Sequence, residues 1–269
     1  MDQTETALEF DSVSLQFEGV TALKNVSFSV TPGETLILLG AAGSGKTVLL
    51  KLALGLLRAD SGRIILFGRD VTSIDESEWF DVRSQVGVLF QEGGLFDSLT
   101  IEENVAYPLR NQKLLKCPED QIQDRVERSL QFVELGHTLE KVPSELSGGM
   151  RRRVGIARAI VSDPALLLYD SPTAGLDPIT ATNIITLIVK GRDVRNATTV
   201  MATHRFQDGE VLARYEFDPA TGGLKSANGA SRAARTRYMV LHDGEAVFLG
   251  SPAELQNSRD PYVSKFVPH

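Results

Sequence analysis

The sequence has little of what marks secreted, membrane-spanning or nucleic-acid-binding proteins. Only one of its 269 residues, Cys117, is a cysteine, so an internal disulfide is excluded and a reducing compartment is favoured. Its apolar runs, such as residues 36–39, are far shorter than the roughly 20 residues that span a bilayer. A net charge of −7 is not the basic footprint of a general nucleic-acid binder. We therefore expect a cytoplasmic protein with no nucleic-acid partner.

Strand and helix patterns alternate along a chain of ordinary globular composition, with 42% hydrophobic and 23% charged residues. Period-two alternation over residues 8–17 and 26–30 predicts half-buried antiparallel strands. Short apolar runs at 35–39 and 165–169 predict buried central strands, and residues 198–203 predict another strand. Helical spacing covers residues 48–57, 118–135, 151–161 and 179–194. The alternation predicts an α/β fold with a parallel sheet and an N-terminal antiparallel β subdomain.

The predicted organisation is one domain with an inserted helical part. Residues 92–162 show almost no strand pattern, which indicates a helical subdomain within the core. Residues 215–237 are rich in Gly, Ala, Ser and Arg, which favours a flexible surface insertion over a contact with membrane headgroups or a partner. The parts of the single domain 1–269 are a core of residues 8–91 and 163–255, the helical part 92–162, the insertion 215–237 and a C-terminal tail 256–269.

Residues 40–47 read G-A-A-G-S-G-K-T and predict a phosphate-binding loop. The loop follows a buried strand and opens a helix, a context that disfavours a chance glycine-rich turn. Its backbone N–H groups and the helix N-terminus would hold phosphate oxygens. Lys46 would reach the β- and γ-phosphates, and Thr47 would place its hydroxyl on Mg²⁺. The predicted binding residues are Gly40, Ala41, Ala42, Gly43, Ser44, Gly45, Lys46, Thr47 and Val48.

Asp170 ends the predicted strand 165–169 and has two interpretations. A carboxylate at the end of a buried strand suits a contact with Mg²⁺. It would equally suit the N-cap of a following helix. The presence of the phosphate-binding loop favours the metal.

A second anion site is indicated at Leu146-Ser147-Gly148-Gly149-Met150, where a serine and two glycines precede a basic helix. With two such sites in order, the sequence resembles the ATP-binding subunits of ABC transporters. The signature of that family usually ends in Gln, where this chain has Met150. We interpret the Arg run at 151–153 as a solvated helix face rather than as a site for anionic lipid.

The resemblance extends over residues 8–255 and implies roles for further residues. Phe17 matches the aromatic that stacks on adenine, and Gln91 matches the glutamine of the Q-loop, which contacts Mg²⁺. Asp177 lies in a stretch similar to the D-loop, and His204 matches the switch histidine. In such families two ATP-binding domains pack head to tail, so that Ser147, Gly148 and Gly149 act on ATP held by the partner. The implied ligands are ATP and Mg²⁺.

The segment after Asp170 departs from the family pattern. The family has a glutamate that activates water at the next position, and this chain has Ser171. Serine has no carboxylate and is not a general base at neutral pH without an activating partner. Three interpretations remain open: slow hydrolysis that uses His204 and the γ-phosphate itself, a degenerate site in a heterodimer, or an ATP-binding regulatory subunit. The intact phosphate-contacting motifs favour retained hydrolysis.

Residues 88–100 and the signature L-S-G-G-M-R-R-R look like the ATPases of bacterial MCE-type (Mla) phospholipid transporters. This resemblance implies phospholipid transport between inner and outer membranes. It implies a second copy as dimer partner, a permease contacted around residues 91–109, an MCE substrate-binding protein and a small STAS-domain protein. The subunit would lie peripherally on the cytoplasmic face of the inner membrane. A soluble ABC ATPase acting on DNA or ribosomes is the alternative, disfavoured because no long coiled coil interrupts the core.

Overall fold

The computed structural model describes residues 6–111, 117–228 and 232–267. The strands are β1 Leu8–Phe17, β2 Val20–Val30, β3 Thr35–Leu39, β4 Ser61–Leu66, β5 Arg69–Asp70, β6 Val86–Leu89, β7 Leu166–Asp170, β8 Thr198–Thr203, β9 Tyr215–Asp218, β10 Gly223–Ser226, β11 Thr236–His242 and β12 Glu245–Gly250. The α-helices are α1 Lys46–Ala53, α2 Glu76–Ser84, α3 Ile101–Asn111, α4 Glu119–Phe132, α5 Gly148–Ile160, α6 Pro178–Arg195, α7 Phe206–Arg214 and α8 Pro252–Gln256.

Two larger sheets organise the chain, as the alternation of patterns predicts. The central sheet has the strand order β12-β11-β3-β8-β7-β6, and all its neighbours are parallel except the β11–β12 hairpin. The second sheet is antiparallel, in the order β2-β1-β4-β5. The parallel order brings the carboxyl ends of β3, β6, β7 and β8 to one edge, where ligands bind in open α/β sheets.

The central strands are buried on both faces, and alternate residues enter two hydrophobic clusters. Ile37 and Leu39 of β3 belong to the cluster that includes the helices α3 to α6, whereas Leu36 and Leu38 belong to the cluster shared with the antiparallel sheet and α1. This two-sided burial explains why the strand patterns of β3 and β7 are largely apolar without alternation. The helix α1 ends four residues before the predicted end, since Gly55 takes a φ of +64° close to the Trp79 ring.

The prediction of a flexible insertion over residues 215–237 was wrong for its first part. Strands β9 and β10 form an antiparallel hairpin, and Phe217 and Leu224 pack against the core. The buried Arg192 of α6 holds this hairpin, since its guanidinium donates to the Tyr215 carbonyl at 2.8 Å and to Asp193. Residues 229–231 of the predicted insertion lie outside the described residues.

The segment predicted as a C-terminal tail is ordered over residues 256–267, and residues 268–269 lie outside the described residues. A short 3₁₀ turn, Val263–Phe266, packs against the core through the fully buried Val263. Between the strands β6 and β7 the described residues are helices and turns. Among the described residues, no helix combines the length and apolar composition needed to cross a membrane.

Candidate functional site

The phosphate-binding loop connects β3 to α1 at the carboxyl edge of the central sheet. Gly45 precedes α1 with a φ of +105°, and a Cβ there would lie 2.9 Å from the Ala22 carbonyl oxygen, so only glycine fits this position. Gly43 has a φ of +79°, and a Cβ on it would meet no atom within 4 Å. The space beside Gly43 is therefore empty, so an anion could approach the backbone of the loop there.

Lys46 is buried, and its ammonium makes hydrogen bonds to residues of the phosphate-binding loop. Its Nζ donates to the carbonyl oxygens of Gly40 at 2.8 Å and Ala41 at 2.7 Å, and to the Ser44 hydroxyl at 3.2 Å. Burial lowers the pKa of Lys46, while the nearby Asp170 carboxylate favours the charged form. The direct hydrogen-bond partners of the Lys46 ammonium are uncharged, and a phosphate bound at the loop would supply a negative charge beside it.

Thr47 and Asp170 meet as the magnesium prediction requires. The Thr47 hydroxyl donates to Asp170 Oδ2 at 2.9 Å, and the Asp170 carboxylate, at the end of β7, is almost fully buried. A hydroxyl and a carboxylate are hard oxygen ligands, and Mg²⁺ on a nucleotide usually takes one or two protein ligands besides phosphates and water. The pair fits a magnesium ion. Asp170 caps no helix, because it lies in β7.

A cleft of about 580 Å³ lies over the loop, and all four predicted catalytic residues, Lys46, Gln91, Ser171 and His204, line it. Besides residues 41–48, it is lined by Gln91, Ser171, Ala174, His204 and Phe266. Gln91 and His204 are exposed in this cleft, after β6 and β8 respectively. Phe17 is not among the lining residues; it is 43% exposed at the end of β1, and its contact with adenine stays a prediction.

Ser171, which follows Asp170, has a constrained backbone. Its φ is +48°, and its N–H donates to the Ala202 carbonyl at 2.8 Å. Its hydroxyl lies 3.3 Å from Asp170 Oδ1 and donates to it. Ser171 lines the same cleft as Lys46 and Gln91.

The signature segment faces a different cavity from the phosphate-binding loop. Ser147 is the N-cap of α5 and its hydroxyl accepts from the Met150 N–H at 3.2 Å. Gly148 is exposed and lines a cavity with Ala174 and Leu176, whereas Ser147 does not line the phosphate-loop cleft. Within one chain the structure does not bring the signature serine to the loop.

Gly149 and Asp177 lie at the N-termini of α5 and α6, which approach each other closely. A Cβ on the buried Gly149 would lie 2.5 Å from Thr180 Cγ2, so α5 and α6 approach closely there. Asp177 is the N-cap of α6 and accepts from the N–H groups of Thr180 at 3.0 Å and Ile179 at 3.1 Å. Hydrogen bonds from Thr180, and then from Ile179, hold the pKa of the Asp177 carboxyl below its usual range.

The interpretation of residues 151–153 as a solvated face was wrong for Arg152. Arg152 is 6% exposed, and its guanidinium donates to the carbonyl oxygens of Ser171 at 3.1 Å, Pro172 at 3.4 Å and Ala174 at 3.1 Å. Burial lowers the pKa of Arg152. It therefore ties the signature helix to the loop that carries Ser171, a contact that the prediction missed. The sequence spacing could have indicated this burial, because residue 152 lies on the same helix face as the buried Gly149 and Ile156.

Curated relatives match about three quarters of the chain. A Mycobacterium leprae protein named "Probable ribonucleotide transport ATP-binding protein mkl" is 39% identical over 198 residues, which cover 74% of this chain and 56% of the relative. "Methionine import ATP-binding protein MetN 2" of Bacillus anthracis is 39% identical over 201 residues, covering 73% and 58% respectively. The matched part of the chain thus spans little more than half the length of these relatives.

Solved structures share the fold over nearly the whole chain. The ATP-binding cassette MJ0796, solved as a dimer in a post-hydrolysis state bound to ADP and Pi, has a TM-score of 0.74 and 27% identity over 91% of this chain and 98% of that one. The cbiO1 protein of Clostridium perfringens, part of the ABC transporter complex cbiONQ, has a TM-score of 0.74 and 26% identity over 93% and 90%.

The sequence pattern of the ABC transporter family matches residues 23–174, which include the loop, Asp170 and the signature. ABC ATPase domains bind ATP with Mg²⁺, and the open loop, the buried Lys46 and the Thr47–Asp170 pair fit these ligands. The chain therefore belongs to the ABC transporter family and has the fold of its ATP-binding domain.

Proposed function

We propose that this chain is the ATP-binding and ATP-hydrolysing subunit of a bacterial ABC transporter. The observation that carries the proposal is the arrangement at the sheet edge, where Lys46 lies under an open phosphate loop and Thr47 meets Asp170 at 2.9 Å. Gln91 and His204 complete the walls of the same cleft. Phosphoryl transfer depends mainly on positioning and on neutralising charge, and these residues perform both tasks.

The functional unit in this proposal is a homodimer packed head to tail. Ser147 and Gly148 lie at an exposed helix N-terminus outside the phosphate-loop cleft, so a second copy is needed to bring them to bound ATP. Closure on ATP and opening after hydrolysis would move an attached permease. The exposed Phe96 and Tyr107, with ring centroids 4.6 Å apart, lie within the proposed coupling surface of residues 91–109.

The proposed cargo is phospholipid, carried between the inner and outer membranes by an MCE-type system. The support is the sequence of residues 88–100 and the signature variant with Met150. The matched relatives are named for ribonucleotide transport and methionine import, and those names describe those proteins. The proposed partners are a permease, an MCE substrate-binding protein and a STAS-domain protein. The proposed location is peripheral, on the cytoplasmic face of the inner membrane.

A second candidate function follows from Ser171, whose side chain faces the cleft without a carboxylate. In this alternative the chain binds ATP and regulates a transporter, and hydrolysis is impaired or occurs at the other site of a heterodimer. Single-turnover hydrolysis by a purified transporter whose ATP-binding subunits are both copies of this chain separates the candidates. Turnover above background supports a working ATPase, and its absence supports the regulatory subunit.

Affinity purification from membranes tests the transport role. The tagged chain is solubilised in mild detergent, and co-purified proteins and lipids are identified by mass spectrometry. The proposal expects an integral membrane permease together with enriched phospholipid, and a Lys46→Ala chain is the control for ATP dependence. A chain that recovers no membrane protein would contradict transport and favour the soluble ABC ATPase. A permease recovered without enriched phospholipid would contradict the cargo alone.

A further inference from the structure

The last described segment, residues 260–267, folds back onto the phosphate-binding loop. Asp260 begins the turn: its carboxylate accepts from the N–H groups of Tyr262 at 2.8 Å and Val263 at 3.0 Å. The hydrogen bonds from Val263 and Tyr262 hold the pKa of Asp260 below its usual range. Val263 is fully buried against the core. The segment, here called the aromatic strap, is thus held by the hydrogen bonds to Asp260 and by the burial of Val263.

Tyr262 makes direct contact with the loop backbone. The Ala41 N–H donates to the Tyr262 hydroxyl at 3.3 Å, and that hydroxyl donates to the Leu241 carbonyl at 3.5 Å. The Tyr262 ring stacks on His242, with centroids 3.7 Å apart and planes at 14°. The hydroxyl therefore connects the start of the phosphate loop to the end of β11, and the stack sets its position independently of the hydroxyl.

Phe266 extends the strap into the nucleotide cleft. Its ring packs edge-on against Tyr262 at 5.4 Å, and the half-buried side chain lines the cleft together with residues 41–48, Gln91 and His204. Among the described residues that line the cleft, Phe266 has the one apolar ring. The others belong to the loop or have small or polar side chains. A ring in this place bounds the volume that a nucleotide would enter.

We infer that the aromatic strap is part of the nucleotide site: Tyr262 positions the phosphate-binding loop, and Phe266 contacts the bound nucleotide. The inference rests on the proposed ATP-binding function and adds two residues to its site. Tyr262 acts through the Ala41 N–H, which it keeps paired while the later N–H groups of the loop bind phosphate. Phe266 acts as a wall that excludes water from one side of the phosphates.

The role of Tyr262 is tested by Tyr262→Phe, which keeps the ring stack and removes only the hydroxyl. Loss of one hydrogen bond at the loop should weaken Mg·ADP binding by about threefold to tenfold, with KM for ATP raised and kcat unchanged. The control is Tyr215→Phe, since Tyr215 is 38% exposed on the distant hairpin. Calorimetric titration of the full chain measures both affinities, and equal affinities for the two variants would overturn the role of Tyr262.

The role of Phe266 is tested by fluorescence from Phe266→Trp. The chain has one other tryptophan, Trp79 of α2, which is 7% exposed beside Gly55, so the wild-type signal serves as the blank. Addition of Mg·ADP should shift or quench the emission of the new indole at the same concentration that saturates calorimetric binding. An unchanged emission with calorimetric binding intact would overturn the contact. Absence of calorimetric binding by the wild-type chain would instead contradict the proposed ATP-binding function.

Discussion

Ser171 lines the phosphate-loop cleft, and in the proposed function it stands where a carboxylate would activate the attacking water. Its hydroxyl donates to Asp170, and its backbone is held by the Ala202 carbonyl and by Arg152. The position is therefore fixed by contacts of the main chain, which do not depend on the side chain at 171. A glutamate introduced there would start from the same Cα and face the same cleft.

Ser171→Glu should raise the single-turnover rate of ATP hydrolysis by about 100-fold or more, the usual contribution of a positioned general base. The physical reason is that the carboxylate accepts a proton from the attacking water, which the serine hydroxyl does not do at neutral pH. The rate is measured by quenched flow with excess chain over labelled ATP. Ser171→Gln is the matched control, since it has the same length without the charge. Equal rates for the Glu and Gln variants would show that water activation is not limiting.

Single residues were predicted from the sequence where a motif fixes both the residue type and its spacing. Lys46 and Thr47 follow β3, and Asp170 ends β7. Both strands belong to the same parallel sheet, so their carboxyl ends bring the three residues together. Arg152 and Tyr262 were not predicted because their contacts come from distant segments: Arg152 reaches residues 171–174, and Tyr262 reaches residue 41. The sequence does not distinguish the three adjacent arginines at 151–153, because the packing of α5 determines which of them is buried.

The helix α5 is joined to the loop after β7 by Arg152, which donates to three carbonyl oxygens. Arg152→Ala should lower the free energy of unfolding by about 2 kcal/mol, because one buried and two partly buried hydrogen bonds lose their charged donor. Arg153→Ala is the control in the same helix, since Arg153 is partly exposed, pairs with the exposed Glu134 and should lose less than about 1 kcal/mol. Urea denaturation measures both. Equal losses would contradict the tie between the helix and the loop.

The β9–β10 hairpin depends on Arg192, a fully buried side chain of α6. Its guanidinium donates to the carbonyl oxygens of Leu212 and Tyr215 and to the Asp193 carboxylate, which in turn accepts from the Phe217 N–H at 2.7 Å. Arg192→Lys keeps the charge but not the planar fork of donors, so the hairpin should open more often.

Hydrogen–deuterium exchange measures this opening. Amides of residues 215–218 should exchange at least about tenfold faster in Arg192→Lys, the change expected for losing roughly 1.4 kcal/mol of local stability. Amides of α1 in the same sample are the internal control and should be unchanged. Unchanged exchange at residues 215–218 would contradict the anchoring role.

Elements were predictable where one segment carries its own pattern. The strand predicted at residues 198–203 agrees with the structure, in which every residue of β8 is buried. The hairpin at residues 215–226 was missed because its strands are only four residues long and are fixed by Arg192, which is far away in sequence. Local composition there indicates a loop, and tertiary contacts override it.

The whole molecule presents half of each proposed site at two separate places. The phosphate loop and Asp170 lie over one cleft, and the exposed N-terminus of α5 with Ser147 and Gly148 lies outside it. The sequence predicts both halves because each is a local motif. Their separation within the chain is a property of the fold, and it makes a second copy part of the proposed active unit.

Two single-defect chains test this composite site. Lys46→Ala removes the buried cation of the loop, and Gly148→Asp places a negative charge where the partner's phosphates would lie. An acidic residue is favourable in the first turn of α5, and a Cβ at position 148 lies 3.8 Å from Leu176, so the helix should remain folded. Gly148→Ala is the control without charge, and it should bind as the wild type does.

The most direct measurement is the labelled ATP retained in the dimer peak on gel filtration when the two defective chains are mixed in equal amounts. Each chain alone should retain none, because every site in its homodimer has one defective half. The mixture should retain about a quarter of the wild-type amount, because half of the dimers are mixed and each of these has one intact site. Retention no greater than that of either chain alone would contradict ATP bound between two copies of this chain.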